Sequence, residues 1–262
     1  MTTYTAQRTK VLAASAALIA TSLGLSGCFS ISTDFDGVEL ADLDTGGGAP
    51  TEVALAGPDD IVVKVGETFD ISVDGDDDAV AALRFKRSGD SITVGRESDW
   101  DSGSGTATVT IVMPAPDEIS LAGSGEIRSE TMADNAEIAM AGSGKVKVAE
   151  MTAESLEISS AGSGSILAAG SASNLEVSIV GSGDVDLSKL KADDVDVSIA
   201  GSGDVMVMSD GQVDVSIAGS GSVFVTGNAQ CSSNVMGSGE LKCKPAEQSA
   251  EAPGETKEDE AT

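Results

Sequence analysis

Five residues ahead of a recurring Gly-Ser-Gly tripeptide, the chain places a carboxylate six times running, at Glu118, Glu137, Glu157, Glu176, Asp196 and Asp214, before Ser232 ends the series. Glu52 and Asp70 hold the matching position upstream. Carboxylates stacked on one face could ligate divalent cations such as Ca2+, or receive a basic partner. Neighbours about 5 Å apart in water repel by about 0.9 kcal/mol, about 4 kcal/mol over five pairs before salt and side-chain splaying reduce it. A solvated acidic face that keeps a β-rich protein soluble and discourages lateral association accounts for the same residues. That plainer account is preferred, because a calcium site needs ligands converging from several directions. Asp74, Asp76, Asp77 and Asp78 make a second acidic candidate, without the full spacing of an EF-hand.

Other chemistry is thinner. Histidine is absent, which removes the Ser-His-Asp and Cys-His arrangements, the usual zinc sites and the commonest general base. A polysaccharide-acting enzyme would have to pair carboxylates with Ca2+ or a basic residue such as Arg84, Lys86 or Arg87, and would need basic and aromatic residues clustered in a groove. The repeats supply few of either. Trp100 and Tyr4 are the only residues of their types, so the aromatic platforms common in sugar sites are nearly missing. Three residues before each tripeptide lie Ser120, Ala139, Ser159, Ser178, Ser198, Ser216 and Asn234. This flat, small-residue strip could receive a carbohydrate or a second sheet, although tightly stacked coils tolerate short side chains for packing alone. No catalytic residue is assigned, no cofactor is expected apart from the Ca2+ considered above, and an enzyme is disfavoured.

The elements that would position these residues follow from the repeat. Gly-Ser-Gly begins at Gly123, Gly142, Gly162, Gly181, Gly201, Gly219 and Gly237, at spacings of 18 to 20 residues. The position four after the first glycine is always apolar: Ile127, Val146, Ile166, Val185, Val205, Val223 and Leu241. Two before it the column runs Leu121, Met140, Ser160, Ile179, Ile199, Ile217 and Val235, broken only by Ser160. Four before it stand Ile119, Ile138, Ile158, Val177, Val197 and Val215, with Ser233 in the last copy. Alternation of this kind describes strands on both sides of a turn. One repeat cannot bury its apolar face alone, so the copies must stack. The predicted fold is all-β, a parallel β-solenoid (β-helix) with 18- to 20-residue coils turning at Gly-Ser-Gly corners. There the glycines supply positive φ or close backbone approach, and the serine points outward. Cys231 and Cys243 lie six residues on either side of Gly237, both facing inward. They predict a disulfide that seals the last coil, worth about 3 kcal/mol for a loop this short.

Upstream, 52–57 with Ile61 and Val63, and also 70–75, read as degenerate early coils. Leu83 to Phe85, Ser91 to Val94 and Ala107 to Met113 read as irregularly connected strands. Gly103-Ser104-Gly105 lacks the core columns and reads as a loop.

The first residues tell where the chain works. Arg8 and Lys10 precede an apolar run from Val11 to Leu25 that is too short for a comfortable membrane span and ends in Leu25-Ser26-Gly27-Cys28. This resembles the bacterial lipobox and implies cleavage before Cys28 and its acylation. A residue bearing several acyl chains holds a protein on a bilayer without spanning it. Phe29, in place of Asp, implies outer-membrane retention in a Gram-negative host. With the signal removed, 43 acidic residues face 13 basic ones; a charge of this size disfavours nucleic acid as a partner. The expected organisation is a signal peptide (1–27), a flexible linker (28–49), irregular N-terminal β coils (50–116), regular solenoid repeats (117–244) and a disordered acidic tail (245–262).

Val109-Thr110-Ile111-Val112-Met113-Pro114, leading into Ile119-Ser120-Leu121-Ala122-Gly123-Ser124-Gly125 and further Ala-Gly-Ser-Gly-Asp-Val copies, resembles the bacterial "putative auto-transporter adhesin head" (GIN domain) family over roughly residues 50 to 244. The resemblance implies a β-helical cell-surface domain with an adhesive role and brings no catalytic residues. Together these readings give an exported, lipid-anchored envelope module. It would bind a cell-surface or glycan ligand, or act as an assembly component docking through its acidic face.

Overall fold

The computed structural model describes residues 35–97 and 105–244. Residues 1–27, read above as a signal peptide, Cys28, Trp100, most of the Gly103-Ser104-Gly105 stretch and residues 245–262 lie outside the described residues. Among the described residues, all of the secondary structure belongs to one sheet that winds around a single core, apart from a 3-10 turn at Leu40–Asp42 and one short helix.

The first strands are β1 (Glu52–Gly57) and β2 (Asp60–Val65), then β3 (Asp70–Gly75), the helix α1 (Asp77–Ala82), β4 (Leu83–Ser88), β5 (Ser91–Arg96) and β6 (Ala107–Met113). The repeats follow as β7 (Glu118–Gly123), β8 (Glu126–Ser129), β9 (Asn135–Gly142), β10 (Lys145–Gly162), β11 (Ser165–Gly181), β12 (Asp184–Gly201), β13 (Asp204–Gly219), β14 (Ser222–Thr226), β15 (Gln230–Gly237) and β16 (Glu240–Lys244).

Each regular coil has three legs. The first ends on the tripeptide, as in Ser155 to Gly162 of β10. The second starts after it, as in Ser165 to Ala168, and a short third, such as Gly170 to Ala172, leads into the next first leg. Successive coils pair in parallel with corners in register, Gly142 on Gly162, then Gly181, Gly201 and Gly219. The apolar columns therefore stack residue on residue. Ile119, Ile138, Ile158, Val177, Val197 and Val215 form one buried stripe, and Ile127, Val146, Ile166, Val185, Val205 and Val223 another. β-Branched side chains suit these positions because their restricted rotamers pack well on a pleated surface. The variation in repeat length is absorbed between legs. Register shifts fall between Leu187 and Lys191 and between Ala192 and Asp194, while the stretch up to the Gly201–Gly219 corner stays aligned.

The corner glycines meet two separate demands. The first glycine of each tripeptide has positive φ, for example +141° at Gly201. A Cβ there would also lie 2.0 Å from the Gly181 carbonyl oxygen. At the second glycine backbone contact alone excludes a side chain: a Cβ on Gly203 would lie 2.3 Å from the Gly183 carbonyl oxygen. The carbonyls so approached accept hydrogen bonds from the next coil, as when Ser202 N–H donates to Gly181 O at 2.8 Å.

The N-terminal end departs from the predicted pattern. β1 and β2 form a true coil, with Gly57-Pro58-Asp59 at the corner; β1 pairs with β7, and β2 with β8. The coil outside it, however, is built from later residues, β5 on β1 and β6 on β2. Residues 70–75 are not an early coil: β3 runs antiparallel to β6, pairing Asp70 with Val112. β4 returns antiparallel on β5. The acidic run after β3 is a helix start, with the Asp76 side chain accepting from Asp78 N–H and Ala79 N–H, an N-cap. Nor are residues 35–49 a free linker. Val38 bridges Phe85 through hydrogen bonds of 2.7 and 2.8 Å, and Arg87 donates to the Gly46 and Gly48 carbonyls.

Asp59 stands where the regular corners have their second glycine, and its side chain is fully buried. Arg96 on β5 forks onto it through Nε and Nη2, and Ala107 N–H donates to Asp59 Oδ1 at 2.9 Å. This bidentate pair ties the outermost coil to the one beneath it.

Candidate contact face

The first legs present outward every second residue, at positions five, three and one before the corner. This produces three parallel columns. Position five is the acid ladder, which runs unbroken through the register Glu52, Glu118, Glu137, Glu157, Glu176, Asp196 and Asp214 to Ser232. Glu52 joins the ladder, and Asp70, placed by the antiparallel β3, does not. Position three is the Ser/Ala strip. Position one is an alanine column, Ala122, Ala141, Ala161, Ala200 and Ala218, with Val180 at 62% and Met236 at 67% exposure.

Two shallow depressions lie side by side on this face. An apolar one of about 490 Å3 runs over Ser120, Ala122, Ala141, Ser159, Ala161 and Val180. An acidic one of about 340 Å3 is lined by Glu52, Asp117, Glu118, Asn135, Glu137 and Glu157. Burial and then the Glu118 and Glu157 carboxylates raise the Glu137 pKa; burial, Glu118, Asp117 and Asp90 do the same for Glu52. The other end of the ladder is relieved: Ser232 O–H and Gln212 Nε2 both donate to Asp214 and lower its pKa.

The ladder carboxylates lie along a line and do not converge. Among the described residues there is no group of three or more His, Cys, Asp or Glu placed to hold one metal ion. That applies equally to Asp74, Asp76, Asp77 and Asp78. The basic residues named for an enzymatic role are placed apart from the ladder's centre, on the terminal strand β4, where Arg84 pairs with Glu97 and Arg87 holds the Gly46 and Gly48 carbonyls. Cys231 and Cys243 form a disulfide with Cα atoms 6.5 Å apart, joining the two strands of the last coil.

Three features were not read from the sequence. The alternation places the alanine column outward, but alanine is common both inside and outside a fold and carries no signal of an exposed apolar stripe by itself. The Asp59–Arg96 pair was signalled only by a Gly-Pro-Asp in the place of a corner. The third is a cluster on the second legs, where Glu126 takes both Lys147, at 2.8 Å, and Arg128. Burial opposes ionisation of Glu126, but these two cations outweigh it and lower the pKa.

The described residues thus form a parallel β-solenoid with one flat, laddered side. The chain belongs to the family described as "Putative auto-transporter adhesin, head GIN domain", whose model matches residues 49–229. Solved structures share the fold. A "putative adhesin" from Bacteroides fragilis NCTC 9343 superposes with a TM-score of 0.69 at 22% identity, over 75% of this chain and 93% of that one. A "Putative lipid binding protein" from Parabacteroides distasonis ATCC 8503 gives 0.62 at 23% identity, over 75% and 94%. A "putative adhesin" from Parabacteroides merdae ATCC 43184 gives 0.55 at 17%, over 75% and 92%. No curated protein matches the chain. No helix among the described residues is long and apolar enough to cross a membrane.

Proposed function

We propose that the protein is a non-enzymatic, adhesin-like module of the cell envelope, held on a membrane by acylated Cys28, that binds its ligand along the flat face of the first legs. The observation that carries this reading is the continuous juxtaposition, coil after coil, of an acid ladder, a strip of small side chains and an exposed, largely alanine column. Short side chains on a rigid sheet lose little conformational entropy when an extended surface settles on them. The ladder beside them selects cationic ligands. The family description and the adhesin neighbours support a binding role. The neighbour described as lipid binding supports a second reading, in which the apolar depression over Ala122, Ala141 and Ala161 receives an acyl chain.

The test is binding of residues 34–262 to a panel of glycans, envelope components and lipid vesicles, with and without calcium. Saturable binding that Ala141→Asp with Ala161→Asp abolishes is expected. Binding that survives these changes would remove the face from the account, and binding to none of the panel would leave a structural role in the envelope as the better one.

A further inference from the structure

The two ends of the solenoid are finished differently. At the N-terminal end the terminal strands are charged. β3 carries Asp70 and Asp74, β4 carries Arg84, Lys86 and Arg87, α1 follows β3 directly, and Val38 bridges the outer edge of β4. These are ordinary guards against edge-to-edge pairing. At the other end β15 pairs only with β13 and β16 only with β14, so both leave a free backbone edge among the described residues; β16 is guarded by Glu240, Lys242 and Lys244, and β15 is not. β15 reads Gln-Cys-Ser-Ser-Asn-Val-Met-Gly, eight residues without a charge, proline or bulge. The ladder that runs through every other first leg of the repeats stops here, at Ser232, whose hydroxyl is turned back onto Asp214. Val235 and Met236 stand 37% and 67% exposed. The disulfide from Cys231 to Cys243 holds this edge strand in place with no coil beneath it.

We infer that β15 is a docking edge and that its occupant is a second copy of this chain, paired about a two-fold axis with β15 antiparallel to β15. The charge pattern selects that occupant. A cationic partner would be served by continuing the ladder, whereas a partner that is itself strongly acidic requires the carboxylates to be absent from the contact, and the chain has a net charge of −28. A two-fold contact is also closed with respect to β15, because it consumes the β15 edge of both copies. Head-to-tail growth is blocked by the charged N-terminal cap. The dimer would carry two flat faces on one rigid body, so that each ligand contact is reinforced by the other.

Residues 34–262 contain the whole described core and form one unit by their internal contacts, so they serve for the test. Sedimentation equilibrium should give a concentration-dependent mass of twice the monomer. Asn234→Asp with Met236→Asp puts carboxylates on the edge and should weaken the association by about tenfold or more, a factor that corresponds to about 1.4 kcal/mol. Ser216→Asp with Ala218→Asp makes the same change one coil inward and should leave the dimer intact. A monomer at every concentration up to about 1 mM, assemblies larger than a dimer, or equal loss with both pairs of substitutions would each overturn the proposal.

Discussion

Glycine is indispensable in this chain for a reason that can be assigned residue by residue. At Gly201 a side chain would meet both an unfavourable positive φ of +141° and the Gly181 carbonyl oxygen 2.0 Å away. Neither can be relieved by a rotamer change, since the obstacle is backbone of the preceding coil. Gly201→Ala should therefore destabilise by more than about 3 kcal/mol in chemical denaturation. Ser202→Ala, at the exposed tip of the same corner, should stay within about 0.5 kcal/mol. Equal losses at the two sites would mean that the corner is not the tight element described. Buried Asp59 belongs to the same scale: a corner position that elsewhere holds glycine carries a side chain here, and Arg96 and the Ala107 N–H of the outer coil satisfy its carboxylate.

A strand leg places its carboxylates one coil apart, so the electrostatics of the face belong to the element and not to any one residue. Glu137 lies between Glu118 and Glu157, and its raised pKa records burial and those two neighbours. A carboxyl whose folded pKa is above its unfolded value supports the fold while protonated and loses that support as pH rises through the folded pKa. Glu137→Gln should therefore raise stability at pH 7 in low salt by somewhat less than about 1 kcal/mol, given that the site is solvent-screened. The gain should disappear below about pH 4, where the wild-type carboxyl is itself protonated, and should shrink in high salt. Denaturant midpoints across pH measure it, and a gain that persists at acid pH would exclude ladder repulsion as its cause. Asp214, with its pKa lowered by Ser232 and Gln212, has the opposite sign: its contribution is present at neutral pH and is lost as pH falls through its folded value.

At the scale of the whole molecule the solenoid is close to one-dimensional, and each coil is held by its two neighbours. The last coil has only one. Reducing the Cys231–Cys243 bridge should cost about 2 to 3 kcal/mol, and hydrogen exchange should place the loss in β15 and β16, leaving the protection of β10 to β12 unchanged. Uniform loss of protection would show that the chain unfolds as one cooperative unit. How far this architecture is legible beforehand depends on what a column of residues can encode. The parallel coils, their corners, the inward columns, the ladder from Glu118 to Asp214 and the pairing of two cysteines can all be read from the sequence, because each is enforced by a period and by alternation that only one stacking satisfies. Strand order at the N-terminal end could not be read: without a repeat, alternation in 70–75 or 91–96 is the same for parallel and antiparallel partners, and only competition for the remaining edges decides. The tertiary structure likewise decided that Glu52 extends the ladder while Asp70 leaves it, that Asp76 caps a helix, and that Asp59 meets Arg96. These outcomes depend on which distant backbone occupies the neighbouring 4.8 Å step, and that is a property of the assembled stack and not of any local stretch of chain.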